Sequence, residues 1–324
     1  MMTDVRPLWD GTPKDAMRIF LEHSIGVGLL AKDQGIAVDA ADLVRGIIDQ
    51  IDKIAYESYP LFQVVEHSDL VLHAEGPGAE HNLPWLSALN WLTGTANKNM
   101  RALIRATLDL MGVDGKRISR EADLRLSGIA PGSVWIGLKL MMPESPLLAE
   151  DSGLGERLVD TAARLPMLAR FIDDEALRPG LNEAEPDPAQ RDAALMSLLA
   201  FAPTGKRGIH TLGISSRQYG SASLSQRERV VLQEAFRRPV VDRLREGVFQ
   251  GEVREADLDK TRFHLRTADG VVRCALPVLH IEQAKAMLGS AVQVSGRYEC
   301  DPQGRPRLMY VERVDPLPKT ARLI

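Results

Sequence analysis

From Leu43 onward, Ile47, Ile48, Ile51, Ile54 and Ala55 recur three and four residues apart, with Arg45, Asp49, Asp52 and Lys53 between them. That period predicts an amphipathic helix whose apolar stripe faces a core. An earlier helix should start at Thr12 and Pro13 and run past Phe20 and Leu30. Threonine can cap the first amides, and proline at the first helical position gives up a donor that lacks a partner anyway. After Pro60 the period shortens: LFQVVE and LVLHAE, separated by His67, Ser68 and Asp69, read as two strands of a hairpin. Helical spacing returns between Pro84 and Met111 through Leu86, Leu89, Leu92, Met100, Leu103, Ile104 and Leu108, with a bend or break expected at Gly94 and a stop at Gly112. ADLRLSGI and SVWIGLKLMM predict a second hairpin, turned through Ala130, Pro131, Gly132 and Ser133. Helices interleaved with hairpins make this region α+β, with helices over one face of an antiparallel sheet.

Residues 154 to 178 carry Leu158, Ala162, Leu165, Leu168 and Ile172 on one helical side, interrupted at Pro166. PGLNEAEPDPAQ, residues 179 to 190, has no period and reads as a linker or exposed loop that could subdivide the region. A short helix, AALMSLLAFA, and a strand, GIHTLGIS, follow. Ser225 and Glu228 form a capping-box pattern ahead of a helix that heads toward Phe236 and resumes after Pro239, with Gly247 closing the segment. These features place a domain boundary at 247/248. No repeat of fixed period is present.

From Val248 the pattern changes to VFQGEVREA, TRFHLRT, then GVVRCALPV after an Asp269-Gly270 turn, a short helix IEQAKAML, and finally SAVQVSGRYEC and RLMYVERV. Asp-Gly between alternating segments is a strong hairpin signal. Three strands, a helix and two strands resemble the OB fold, a five-stranded Greek-key barrel, over about residues 248–318. The resemblance rests on element order and the phrase VQVSGRYECDPQGRPRLMYVERV. No family is recognised for residues 1–247. By analogy, an OB-like barrel implies a ligand face across its second and third strands, flanked by the first and fourth loops. If Phe263 and Leu265 fill the barrel, Arg262, His264 and Arg266 share its outside; Arg273, Arg305 and Arg307 extend that surface. Guanidinium groups grip phosphates, and Tyr298 or Tyr310 could stack bases.

Composition narrows the classes. The 324 residues are 44% hydrophobic and 26% charged, as in folded globular proteins. A net charge of -4 supplies no global field for nucleic acid or anionic membrane, so such binding must be local. The barrel segment carries twelve basic and ten acidic residues, and Glu255, Asp257 and Asp259 in its first loop oppose a phosphate backbone. Two cysteines, Cys274 and Cys300, make neither a disulfide framework nor a four-ligand zinc site. With no secretory leader pattern and no apolar run near ~20 residues, a cytoplasmic, bacterial-type protein off the membrane is expected.

Candidate chemistry is sparse. Lys206 and Arg207 in PTGKRG lack the earlier glycine and the following Ser or Thr of a phosphate loop. His73, Glu75, Glu80 and His81 lie close enough in sequence to ligate a metal, although a solvated polar loop is the favoured account of them. No serine sits in a nucleophile-elbow motif, and no catalytic residue or cofactor is assigned. Three readings stand. The first is a binding or adaptor protein, not an enzyme, whose barrel contacts single-stranded nucleic acid through Arg262, His264, Arg266, Arg273, Tyr298, Arg305 and Arg307. The second is an antitoxin- or immunity-type regulator that masks a protein partner, with self-association left open. The third is a metal-dependent hydrolase using the 73–81 segment.

Overall fold

The structure is a computed structural model and describes residues 13–35, 40–80, 83–113, 118–119, 122–130, 133–142, 153–236, 244–257, 261–276 and 287–317. Three helices open the chain: α1 (Pro13–Asp33), α2 (Ala40–Lys53) and α3 (Tyr59–His67), the last two joined by a π-helical turn at Ile54–Ser58. Strand β1 (Leu70–Glu75) follows, then α4 (Leu86–Leu110) and the hairpin β2 (Asp123–Ala130) and β3 (Val134–Met141). Helices α5 (Leu154–Ala163), α6 (Leu165–Ala169), α7 (Leu181–Ala184) and α8 (Pro188–Phe201) lead to β4 (Thr211–Ser216), β5 (Gly220–Leu224) and α9 (Gln226–Ala235). The antiparallel sheet has the order β2-β3-β1-β4-β5.

One face of this sheet builds the main core. Leu70, Leu72, Val134, Ile136, Leu138, Leu212 and Ile214 meet Leu92, Met100 and Leu103 of α4, Leu165 and Leu168 of α6, and Leu195, Leu198 and Phe201 of α8. The opposite face is covered in part by α3, whose Val64 and Leu61 pack on Val71, Ala130 and Trp135.

That second contact corrects the expectation of a strand at LFQVVE. The segment is α3, and β1 pairs instead with β3 and β4. Pro60 stands in the first helical turn, where its missing N–H costs nothing, and burial of Val64 one turn after Leu61 outweighs the β-preference of valine. Gly94 does not break α4, which runs continuously from Leu86 to Leu110. Pro166 does separate α5 from α6, but the helical pattern ends at Ala169, and Ile172 and Leu177 form an isolated bridge. The capping box at Ser225 and Glu228 forms as expected, Phe236 caps α9, and the helix expected after Pro239 lies outside the described residues.

The last five strands are β6 (Arg245–Asp257), β7 (Arg262–Thr267), β8 (Gly270–Ala275), β9 (Ala291–Cys300) and β10 (Pro306–Pro316). They close into a mixed barrel of order β10-β8-β7-β6-β9, in which β10 runs parallel to β8 and antiparallel to β9. This closed five-stranded barrel is consistent with an OB-like fold. Val253, Phe263, Leu265, Val272, Cys274, Val292, Val294, Met309 and Val311 fill it. Phe263 and Leu265 therefore point inward, as the alternation of TRFHLRT requires. Gly247 does not close the preceding segment but lies inside β6, where a Cβ would press on the ring of Tyr298. The helix expected at IEQAKAML falls almost wholly outside the described residues.

Candidate functional site: the arginine face of the barrel and the cleft beside it

Strand alternation sends Arg262 and His264 outward from β7, and Arg273 outward from β8 directly across from His264. These three groups do not meet solvent. Each is 5% exposed or less, because α8 and the end of α4 lie across this face. Asp192 of α8 accepts a two-pronged contact from Arg262, Nη2 at 2.9 Å and Nε at 3.1 Å, and a third bond from Arg273 Nε at 2.6 Å. Arg273 Nη1 lies 3.2 Å from His264 Nε2. A guanidinium only donates, so Nε2 accepts and the imidazole proton sits on Nδ1, 3.4 Å from the Asp109 carboxylate of α4. Arg262 also lies over the ring of Phe236, 5.4 Å from its centroid.

Two further contacts extend the seam. Arg307 donates to Asp187 at 2.8 and 2.9 Å and to the carbonyl of Leu110, satisfying a free acceptor at the end of α4. Asp187 is at the same time the N-cap of α8, accepting from the amides of Ala189 and Gln190. Arg191 pairs with Glu299 of β9, which also accepts from the Tyr310 hydroxyl at 2.8 Å. Burial alone would raise the Asp192 carboxyl, but the charges and hydrogen bonds of Arg262 and Arg273 outweigh it and hold the group well below the usual carboxylate range. Burial, reinforced by the Glu299 charge, pushes the Tyr310 phenol up.

The face expected to bind an external ligand is thus taken by the protein's own helix. Arg262, His264 and Arg273 do share the outside of the barrel, but their exposure is corrected: carboxylates of the N-terminal region neutralise and cover them. Segment 179–190 is corrected in the same way, since it holds α7 and the cap of α8 and is not a free linker. Tyr298 is half-buried, edge-on to Phe249 with centroids 5.0 Å apart, and Tyr310 is committed to Glu299.

The remaining expected residues converge elsewhere. A cleft of about 370 Å³ opens between the β7–β8 turn, the β9–β10 loop and the end of α4, lined by Arg266, Arg305, Arg307, Asp269, Phe249 and Met111. Arg307 forms its back wall and is spent on Asp187. Arg305, largely exposed, shares its Nε with Asp301 at 2.7 Å. Arg266 is exposed and its side chain has no hydrogen-bond or ion-pair partner among the described residues. The charged residues of the helical region that complete the seam, Asp109, Asp187, Arg191 and Asp192, escaped sequence reading. Their only signal was charge at one-turn spacing (187, 191, 192) beside an apolar helix face.

Among the described residues no three His, Cys, Asp or Glu side chains converge as a metal site, and His81 lies outside them. Among the same residues no helix is long and apolar enough to cross a membrane. No family model matches the chain, and no curated protein matches it. Among solved structures, the hypothetical protein ygiW from E. coli is similar at 10% identity over 26% of this chain and 85% of that one, with a TM-score of 0.18.

Proposed function

We propose that the chain is a binding protein whose OB-like barrel, docked on its own α+β region, takes an anionic chain such as single-stranded nucleic acid in the Arg266–Arg305–Arg307 cleft. The observation that carries this reading is Arg266: an exposed guanidinium without a partner among the described residues, beside two further arginines of the same cleft. The strand order, with β8 beside β10, supports the OB-like assignment, and in such barrels the fourth connecting loop, here the one holding Arg305, borders the ligand. Binding through this cleft needs no rupture of the Asp192 seam.

Anisotropy of a fluorescein-labelled oligothymidylate over a salt series tests it. Affinity should fall steeply as salt rises, through counterion release, and R266E/R305E should lower it by about tenfold or more, whereas R217E, remote from the cleft, should not. Salt-insensitive binding, or an unchanged double variant, overturns the proposal.

A protein partner is the second reading, and α1 favours it: Ile19, Leu21, Ile25, Leu29 and Leu30 are each more than half exposed. An L29E/L30E variant with unaltered assembly state and unaltered co-purification would remove that support.

A further inference from the structure

On the sheet face opposite the main core, β1 and β3 bring together side chains that are far apart in sequence. His73 and Trp135 are directly paired in the ladder and their rings stack, 3.7 Å apart and 11° from parallel. The stack fixes the imidazole plane. Gly213 faces His73 from β4 and leaves the ring room, since a Cβ there would stand 3.3 Å from that of His73. Held this way, Nε2 is in close hydrogen-bond contact with Oγ of Ser133, the residue that enters β3 from the hairpin turn. The other ring nitrogen, Nδ1, lies 3.5 Å from the Glu75 carboxylate, two residues along β1 and therefore on the same face.

We propose that Ser133, His73 and Glu75 form a nucleophile–base–orienter set that hydrolyses uncharged carboxylic esters, at a site separate from the barrel cleft. Each member has the required atom facing its neighbour: hydroxyl to Nε2, Nδ1 to carboxylate. Burial pulls the His73 pKa down more than Glu75 raises it, so the ring is neutral near pH 7 and free to accept the serine proton. His73 and Glu75 lie on the central strand β1, and Ser133 stands immediately before β3, bridged to Glu80.

The chemistry proceeds in two halves. Ser133 Oγ attacks the ester carbonyl carbon while its proton passes to His73 Nε2, and the imidazolium is stabilised by Glu75. The C–O bond to the alcohol breaks, and the alcohol leaves with the proton from His73. Water then repeats the sequence on the acyl-serine, giving the acid and restoring the serine. Ester and water become acid and alcohol, with no other reactant.

The surroundings set the substrate class. Glu80 pairs with Ser133 in an isolated bridge, so Glu75 and Glu80 flank the nucleophile and disfavour anionic substrates.

The test is a fluorophosphonate probe on the full chain, read by peptide mass, together with turnover of p-nitrophenyl butyrate. One adduct on Ser133 is expected. S133A and H73A should abolish labelling and lower turnover about a hundredfold or more, and E75Q should lower kcat with KM held. As a check independent of ester turnover, the S133C thiol should be alkylated by iodoacetamide faster than Cys300. Wild-type turnover no greater than that of S133A, an adduct that persists in S133A, or an S133C thiol no more reactive than Cys300 overturns the proposal.

Discussion

Replacing Asp192 by alanine removes one carboxylate and strands two guanidinium groups. Asp192 holds Arg262 and Arg273 through three donor nitrogens, and all three residues are 6% exposed or less. Deleting one member of a buried ion pair costs about 3–5 kcal/mol, chiefly because the orphaned charge stays desolvated. That is a large part of the roughly 5–15 kcal/mol that holds a typical domain folded. The loss should appear first as release of the barrel, because water reaches Arg262 and Arg273 once α8 lifts away. The four tryptophans, Trp9, Trp85, Trp91 and Trp135, all precede the barrel, so urea unfolding read by tryptophan fluorescence follows the N-terminal region, whereas far-UV dichroism follows both. In the wild type the two transitions should coincide. In D192A they should separate, with dichroism moving first. A triple variant D192L/R262M/R273M, which removes the charges together, should recover most of the loss, since apolar replacement of a buried ion group is often neutral or stabilising. A D192A cost under about 1 kcal/mol with coincident transitions would refute the account of the seam.

The pH dependence has a definite sign. The folded-state pKa of Asp192 is depressed, so its contribution is complete above the unfolded value of about 3.9 and drains away as pH falls below it; acid titration should destabilise the wild type more steeply than D192A. S225A removes the Ser225 hydroxyl that accepts from the Arg227 amide, while the Ser225 backbone amide keeps its bond to Glu228, and should cost about 1 kcal/mol by urea denaturation. G78A should cost about 1–3 kcal/mol by the same measurement, because a Cβ there meets the backbone carbonyl of Arg207. Burial pushes the Cys274 thiol up, so in native protein Ellman's reagent should leave it untouched, and Cys274 should react only on unfolding.

How legible the molecule was depends on which physical signal each part used. Alternation in TRFHLRT told correctly which residues enter the barrel, because a period of two follows from strand geometry alone. The Asp269-Gly270 turn and the Ser225 cap were equally local, and both are present. LFQVVE failed because its composition favours a strand and only its contact with Val71 and Ala130 makes it helical. The arginine face failed for a different reason. An outward-pointing charge looks the same in sequence whether water or a distant carboxylate faces it, and Asp192 is 70 residues from Arg262. The contact of Ser133 with His73, 60 residues apart, was invisible for the same reason: only the pairing of β1 with β3 brings them together.

The seam also contains a rule about position. The helix offers Asp187 and Asp192 to basic groups of the barrel, but Arg191 between them meets the acid Glu299. Slide α8 forward by one turn and an aspartate arrives where Glu299 waits; slide it back and Arg191 confronts Arg307. Each displaced docking sets like charges together in a dry place, so one inverted pair among the others works as a keyway that admits the helix at a single depth.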